Sequence, residues 1–404
     1  MSAKLKIISD EKKSIMSLDI DKKNNISKKI KKKGIIVVDD RNNKLILDHQ
    51  SIIKANDIKL EHDKQFVLDK KLIPDFIIQY NDKNNNKQLN VLDLFCGCGG
   101  MTTGLVKAGL NVMAGIDIWN KAIESYEANH DHLAICADLT KLRPEDFKRK
   151  YNFTANIDVI VGGPPCQGFS IAGKRDQKDP RNSLFMEFCK YLDYFKPNAF
   201  IMENVMGILS MKTANKESVI DIVMEKLGTD YNCKINKLYA SDFRVPQNRR
   251  RVIIIGIKKE LNIIPLEIKP ILEKDKRVAV KTILEKESDV DKKYFLSEKA
   301  INGINAKKAK SKADGKGFGA QYLKLDEPSY TIPARYWKDG YDALVKYDDK
   351  KIRRLTISEL KKIQSFPDNY VLKGSNKEII IQIGNAVACE FANYLGKYII
   401  NTLQ

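Results

Sequence analysis

The residue best placed to do chemistry is Cys166, in the run Gly162-Gly163-Pro164-Pro165-Cys166-Gln167-Gly168-Phe169-Ser170. The apolar stretch Ile157-Asp158-Val159-Ile160-Val161 precedes it and reads as a buried strand. The thiol is therefore delivered at the carboxyl end of a strand. The loop is stiffened by two prolines and opened by two glycines that let another molecule approach the backbone. On local sequence alone a nucleophile and a buried structural thiol fit equally well.

A second cluster precedes it. Asp93-Leu94-Phe95-Cys96-Gly97-Cys98-Gly99-Gly100 follows a strand and opens a helix, the pattern of a nucleotide-binding turn. Asp117 ends the next strand about twenty residues on, where a carboxylate commonly takes ribose hydroxyls, and Asp138 ends the third in the same way. There is no Walker lysine, and three acids would repel a pyrophosphate. An adenosine carrying a cationic group suits the site better, which describes S-adenosylmethionine.

The elements that must hold these residues alternate strand and helix from Leu89 onward. Strands are expected at 91–95, 112–117, 135–138, 157–161, 199–203, 234–239 and 251–257, with helices near 101–109, 122–126, 184–195 and 217–227. This argues an α/β class, a parallel, doubly wound, Rossmann-like sheet. After about Lys258 the rhythm breaks into a Lys-rich, irregular region that reads as a smaller lobe. Helical periodicity returns at Thr356–Gln364, and a last apolar helix is expected over about 385–400. The expected domains are a basic N-terminal extension (1–88), a catalytic lobe (89–257 with 378–404) and a smaller lobe (258–377). In the extension, 34–38 and 44–47 could pair as strands, and Ser27–Lys33 is a basic cluster.

Composition bounds the function. The chain has 404 residues and 71 Lys+Arg against 52 Asp+Glu, a formal charge of +19 that attracts polyanions. A Lys- and Asn-rich coding bias would give the same excess. No apolar run is long enough to span a bilayer and the N-terminus carries charges where a signal peptide has its apolar core, so a soluble, intracellular protein is expected. Seven cysteines fit reduced thiols better than a disulfide framework. With four histidines, no CxxC and no HExxH, no metal site is expected.

Six motifs in order carry a family resemblance. They are Asp93–Gly100, Gly162–Ser170 with Pro-Pro-Cys-Gln, and Glu203-Asn204-Val205. Then come Gln247-Asn248-Arg249-Arg250-Arg251-Val252, Arg354-Leu355-Thr356 with Gln364-Ser365-Phe366-Pro367, and Gly384-Asn385-Ala386-Val387. The chain resembles the cytosine-5 DNA methyltransferases over 89–257 and 353–404. The resemblance implies methylation of carbon 5 of cytosine in duplex DNA, with S-adenosylmethionine as donor. It implies cofactor contacts from Phe95, Gly97, Gly99, Gly100, Asp117, Ile118, Asp138, Leu139, Asn385 and Ala386. Relatives often carry Glu-Trp where this chain has Asp117-Ile118 with Trp119 one place later, which leaves open which residue covers the second face of the adenine. Cys166 corresponds to the nucleophile, Glu203 to the acid on the ring nitrogen, and Arg249 and Arg251 to the active-site arginines.

The chemistry agrees with that assignment. Addition of a thiolate to carbon 6 turns cytosine into an enamine, which splits one hard step into two easier ones. Arginines spaced i, i+2 on a strand would face the site together, and a protonated Glu203 could donate to ring nitrogen 3. The target base must leave the stack. The polar segment 170–181 is expected to close over the DNA, with Gln167, Ser170 and Arg181 contacting it, and Thr331 and Arg335 contacting it from the smaller lobe. A monomer in the cytoplasm at the nucleoid is expected, or in the nucleus for a eukaryotic or viral source, with a cognate restriction endonuclease as a companion. The rival readings are an RNA cytosine methyltransferase on the same scaffold and a catalytically inactive DNA-binding relative. Gln167-Gly168-Phe169-Ser170 favours DNA, because the RNA-modifying branch typically departs there.

Overall fold

The computed structural model describes residues 88–165, 183–213, 216–313, 320–338 and 340–404, and six short strands between Ser2 and Val67. Cys166, Gln167, Ser170 and Arg181, the expected closing segment and the basic cluster 27–33 lie outside the described residues. By their contacts the residues fall into two compact units. One holds Met1–Lys87 with Glu145–Asn156, the other Gln88–Pro144 with Ile157–Gln404. In the first, the six strands pair as three antiparallel hairpins, among them Ile35–Val38 with Lys44–Leu47, the pairing expected from the sequence.

The second unit is built on a seven-stranded sheet. Its strands are β1 (Asn90–Leu94), β2 (Asn111–Asp117), β3 (Leu133–Cys136), β4 (Val159–Gly162), β5 (Ala199–Val205), β6 (Tyr231–Tyr239) and β7 (Arg250–Lys258). The spatial order is β6-β7-β5-β4-β1-β2-β3. Continuous apolar runs such as Val159-Ile160-Val161, each residue fully buried, form the middle because parallel strands are covered on both faces. Strand order reverses between β1 and β4, which pair in parallel with Leu94 beside Gly162. At such a switch point the loops leaving the two strands diverge and open a crevice. The loops in question are the glycine loop and the Gly163-Pro164-Pro165 loop.

The sheet is mostly, not wholly, parallel. β7 runs antiparallel to both β5 and β6. The reason is the short link at 240–249, which holds one 3-10 turn at Ala240–Phe243 and no crossover helix. A connection that short returns the chain as a hairpin.

Helices α1 (Gly100–Ala108), α2 (Asn120–Glu127), α3 (Ser183–Phe195) and α4 (Val219–Leu227) flank the sheet. Two helices depart from the sequence expectation. α5 (Glu298–Ala313) lies in the stretch read as irregular. α7 (Asn376–Asn385), ending where Ala386 turns extended, is not among the expected elements, and α8 (Cys389–Leu403) is the expected terminal helix. Between them α6 (Ile357–Ile363) matches its periodicity. On one face of the sheet Phe391, Leu395 and Ile399 of α8 join Met101 and Leu105 of α1 and Ile201, Ile253 and Ile255 in a single core. A second core gathers Val280, Ile332, Tyr336, Val345, Leu355, Leu360 and Ile383 around the hairpin β8 (Leu344–Lys346) and β9 (Ile352–Arg354). Inside it Arg353 and Glu359, both fully buried, form a bidentate ion pair at 2.8 Å.

Candidate active site

The glycine loop is held from beneath. The Cys96 amide donates to the Ile116 carbonyl at 3.1 Å, joining the loop to β2. Phe95 is left-handed at φ 60°, a conformation a bulky residue adopts only when its surroundings impose it. Gly97 is also left-handed at φ +55°, and a Cβ there would meet nothing within 4 Å. Its amide donates to Asp117 Oδ2 at 2.9 Å, while the Trp119 amide donates to Asp117 Oδ1 at 2.8 Å. Burial raises the Asp117 carboxyl above its usual range, against the pull of these amides. Gly100 meets the protein itself, because a Cβ there would lie 2.3 Å from the Val387 carbonyl.

The neighbouring strand ends complete the cradle. Asp117 pairs in register with Cys136, which sets Asp138 just beyond it. Asp138 Oδ1 accepts from the Thr140 hydroxyl at 2.7 Å, the main cause of its lowered pKa, and from the Thr140 amide at 3.0 Å. Ile118 is 67% exposed beside Asp117, whereas Leu139 is buried. Asn385 is exposed and Ala386 half-buried, with the Ala386 methyl close to Gly100. An open glycine backbone, a bare apolar side chain and two anchored carboxylates fit an adenosine, and the acids fit a cationic rather than a phosphorylated one.

A network that sequence reasoning missed lies behind this loop. The Thr102 hydroxyl donates to Asp93 Oδ2 at 2.5 Å and lies 3.0 Å from Tyr126 Oη, which lies 2.7 Å from His132 Nε2. His130 stacks on His132, with ring centroids 5.2 Å apart, and its Nε2 is 3.2 Å from Tyr370 Oη. Tyr370 donates in turn to the Cys98 carbonyl at 2.5 Å. Burial pushes Asp93 up to about 7 and pulls His130 and His132 down to about 4 and about 3. Its longest links join residues 240 and 272 positions apart, so no local pattern announces the network.

The second half of the crevice starts at β4. Asn204 Nδ2 donates to the Pro164 carbonyl at 3.1 Å and pins the loop that leads to Cys166 against β5. A Cβ on Gly163 would sit 3.3 Å from Glu203 Oε2, so Glu203 lies against that loop. Arg251 Nε is 2.7 Å from Glu203 Oε1, with both side chains mostly shielded. Their register explains the meeting. Arg251 pairs with Val205 in the antiparallel β5–β7 ladder, so Glu203 is its diagonal neighbour on the same face.

Arg249 is placed differently from Arg251. It precedes β7 and is buried, and its Nη1 donates to the Gly384 carbonyl at 3.0 Å and the Ile332 carbonyl at 3.4 Å. Burial, with Arg251 nearby, lowers it to about 9. Fully buried Gln247 makes a parallel tie: the Ile332 amide donates to its Oε1 at 3.1 Å. The Thr331 hydroxyl donates to the Asn248 carbonyl at 3.0 Å. The 247–249 segment thus docks the extended 329–332 segment and the carboxyl end of α7 next to the crevice. Arg335 is exposed and paired with Asp342 at 2.8 Å.

The sequence profile of the C-5 cytosine-specific DNA methylases matches residues 89–401. The chain belongs to this family. It is a DNA cytosine-5 methyltransferase, and its similarity to curated relatives runs through both halves of the crevice. Type II methyltransferase M.SsoII of Shigella sonnei is 34% identical over 331 residues, 80% of this chain and 82% of the relative. M1.ScrFI of Lactococcus lactis subsp. cremoris is 31% identical over 329 residues, 80% and 81% of the two chains. M.DdeI of Desulfomicrobium norvegicum is 45% identical over 176 residues, but these are 43% of this chain and only 41% of the relative. The solved S. pombe Dnmt2 methyltransferase shares the fold at a TM-score of 0.63, covering 78% of this chain and all of that one at 22% identity. Among the described residues no helix is long and apolar enough to cross a membrane.

Proposed function

We propose that this methyltransferase works through a covalent adduct between Cys166 and carbon 6 of a cytosine flipped out of duplex DNA, with S-adenosylmethionine as methyl donor. The observation that carries the reading is the Glu203–Arg251 pair set against Gly163 and the pinned Pro164-Pro165 loop, at the sheet's switch point. When bound, the cofactor supplies an electrophilic methyl group. Phe95 and Ile118 would enclose its adenine, Asp117 would take its ribose hydroxyls, and Asp138 would take the adenine amino group. Gly97, Gly99, Gly100, Leu139, Asn385 and Ala386 would line the rest of the cradle.

On the DNA side, Asn204 and the two prolines would hold the thiolate at a fixed height beside the base. Its addition to carbon 6 loads negative charge onto the ring. Glu203, protonated in the complex, would donate to nitrogen 3 as that charge develops. Arg251 keeps the acid oriented before the base arrives. Arg249 acts as a positioning residue, because its carbonyl ties fix the floor on which Arg251 stands. Residues 258–377 form the target-recognition lobe, with Thr331 and Arg335 at its DNA face and Gln167, Ser170 and Arg181 on the segment that closes over the duplex. We read the protein as a cytoplasmic monomer with a companion restriction endonuclease.

Bisulfite sequencing of duplex DNA treated with protein and S-adenosylmethionine tests the activity and reports the recognised sequence. Cys166→Ala should abolish transfer while sparing cofactor binding, and full activity in that variant would exclude the adduct. Greater methyl incorporation into tRNA than into duplex DNA would favour the RNA reading.

A further inference from the structure

A basic and aromatic corner stands on the opposite face of the sheet from Arg251. Tyr239, the last residue of β6, pairs in register with Arg250, the first of β7. The Arg250 guanidinium lies 5.2 Å from the Tyr239 ring centroid, and that of Arg277 lies 5.5 Å from the same centroid. One aromatic ring thus carries two guanidinium groups. They differ in their partners. Arg277 is mostly shielded and tied to buried Asp242, with Nε donating at 2.8 Å. Arg250 is exposed and has no carboxylate partner among the described residues, and the exposed Lys237 stands two residues before Tyr239 on the edge strand β6. Of these three cations only Arg277 is ion-paired among the described residues.

Position gives this corner a use. Because β7 is antiparallel, its first residues lie at the carboxyl ends of β5 and β6, the edge that carries the catalytic loops. Arg250 is bonded to Arg251, and its carbonyl accepts from Arg251 Nη1 at 2.8 Å. A duplex whose target base enters beside Glu203 would bring its sugar–phosphate backbone to this edge of the sheet, where Arg250 stands. A guanidinium held near an aromatic ring can still present N–H groups to phosphate oxygens, and the contact limits the side-chain freedom lost on binding.

We propose that Arg250, held on Tyr239 against the Arg277–Asp242 pair, is a phosphate-backbone contact that sets DNA affinity without reading sequence. This rests on the proposed DNA substrate and adds a site to it. The test is equilibrium binding of a short duplex by the full chain, across a salt series, for wild type, Arg250→Ala and Arg250→Lys. Melting temperature, S-adenosylmethionine binding and wild-type methylation of the duplex are measured alongside. Arg250→Ala should weaken binding about tenfold, equally for duplexes with and without the target, and should make the salt slope shallower by about 0.9. Arg250→Lys should keep the wild-type slope with part of the affinity lost. Unchanged affinity and slope in Arg250→Ala would overturn the proposal. So would losses matched by a lower melting temperature and weaker cofactor binding, which would make the corner structural. A wild-type protein that leaves the target-bearing duplex unmethylated would instead refute the underlying DNA reading.

Discussion

His132 provides a sharp test of how the cofactor loop is supported. Its ring nitrogen lies 2.7 Å from Tyr126 Oη, and burial followed by the neighbouring His130 lowers it to about 3. An unfolded histidine titrates near 6.5, so on acidification the unfolded chain takes the proton first. The stability held by the neutral ring is therefore complete above about pH 6.5 and is lost as the pH falls toward 3. Between pH 8 and pH 4.5 the unfolded chain gains two pH units of protonation that the folded chain refuses. At 1.36 kcal/mol per unit this is worth about 2–3 kcal/mol, allowing for the ring's partial contact with solvent. His132→Gln keeps a polar partner for Tyr126 and removes the titration. The variant will be less stable at pH 8, and its deficit will shrink by about 2–3 kcal/mol at pH 4.5. Urea unfolding at the two pH values, followed by tryptophan fluorescence, measures both gaps, and the titrations of Asp93 and His130 largely cancel between the two proteins. Equal gaps at both pH values would show that the ring is not held neutral, and would remove the network from the account of the glycine loop.

Two further outcomes follow from packing. Glu359→Ala strands the buried Arg353 guanidinium and also removes the acceptor for the Thr356 and Glu285 amides, so it should cost about 3–5 kcal/mol in denaturant unfolding. Gly100→Ala drives a methyl toward the Val387 carbonyl, which is backbone and has no rotamer to yield. A loss of about 1–3 kcal/mol in stability is expected, with weaker S-adenosylmethionine binding by calorimetry, because the glycine loop must move.

What was legible in the sequence divides by the range of the interactions. The buried strands announced themselves as apolar runs, and the glycine loop and strand-end acids are local signals placed by those strands. The capping boxes of α6 and α7 were also written locally, as Thr356 with Glu359 and Ser375 with Glu378. The second pair marks the start of α7, a helix that the apolar pattern of the C-terminal region does not show. Strand direction is a different kind of property. The antiparallel β7 depends on the ten-residue link before it rather than on its own apolar run.

The two arginines show why that difference matters for the site. An i, i+2 spacing puts side chains on one face only while both residues share a strand. Arg251 is within β7 and reaches Glu203 across the ladder, whereas Arg249 stands before it and turns to carbonyls of two other segments. The pair that touches the crevice was thus encoded by strand periodicity. The residues that fix its floor and its glycine loop, Arg249, Gln247, Tyr126 and Tyr370, are encoded by partners 24 to 272 positions away. Side chains that act on substrate could be read from their own strands and turns, while those that hold them in place become visible only once the chain has folded.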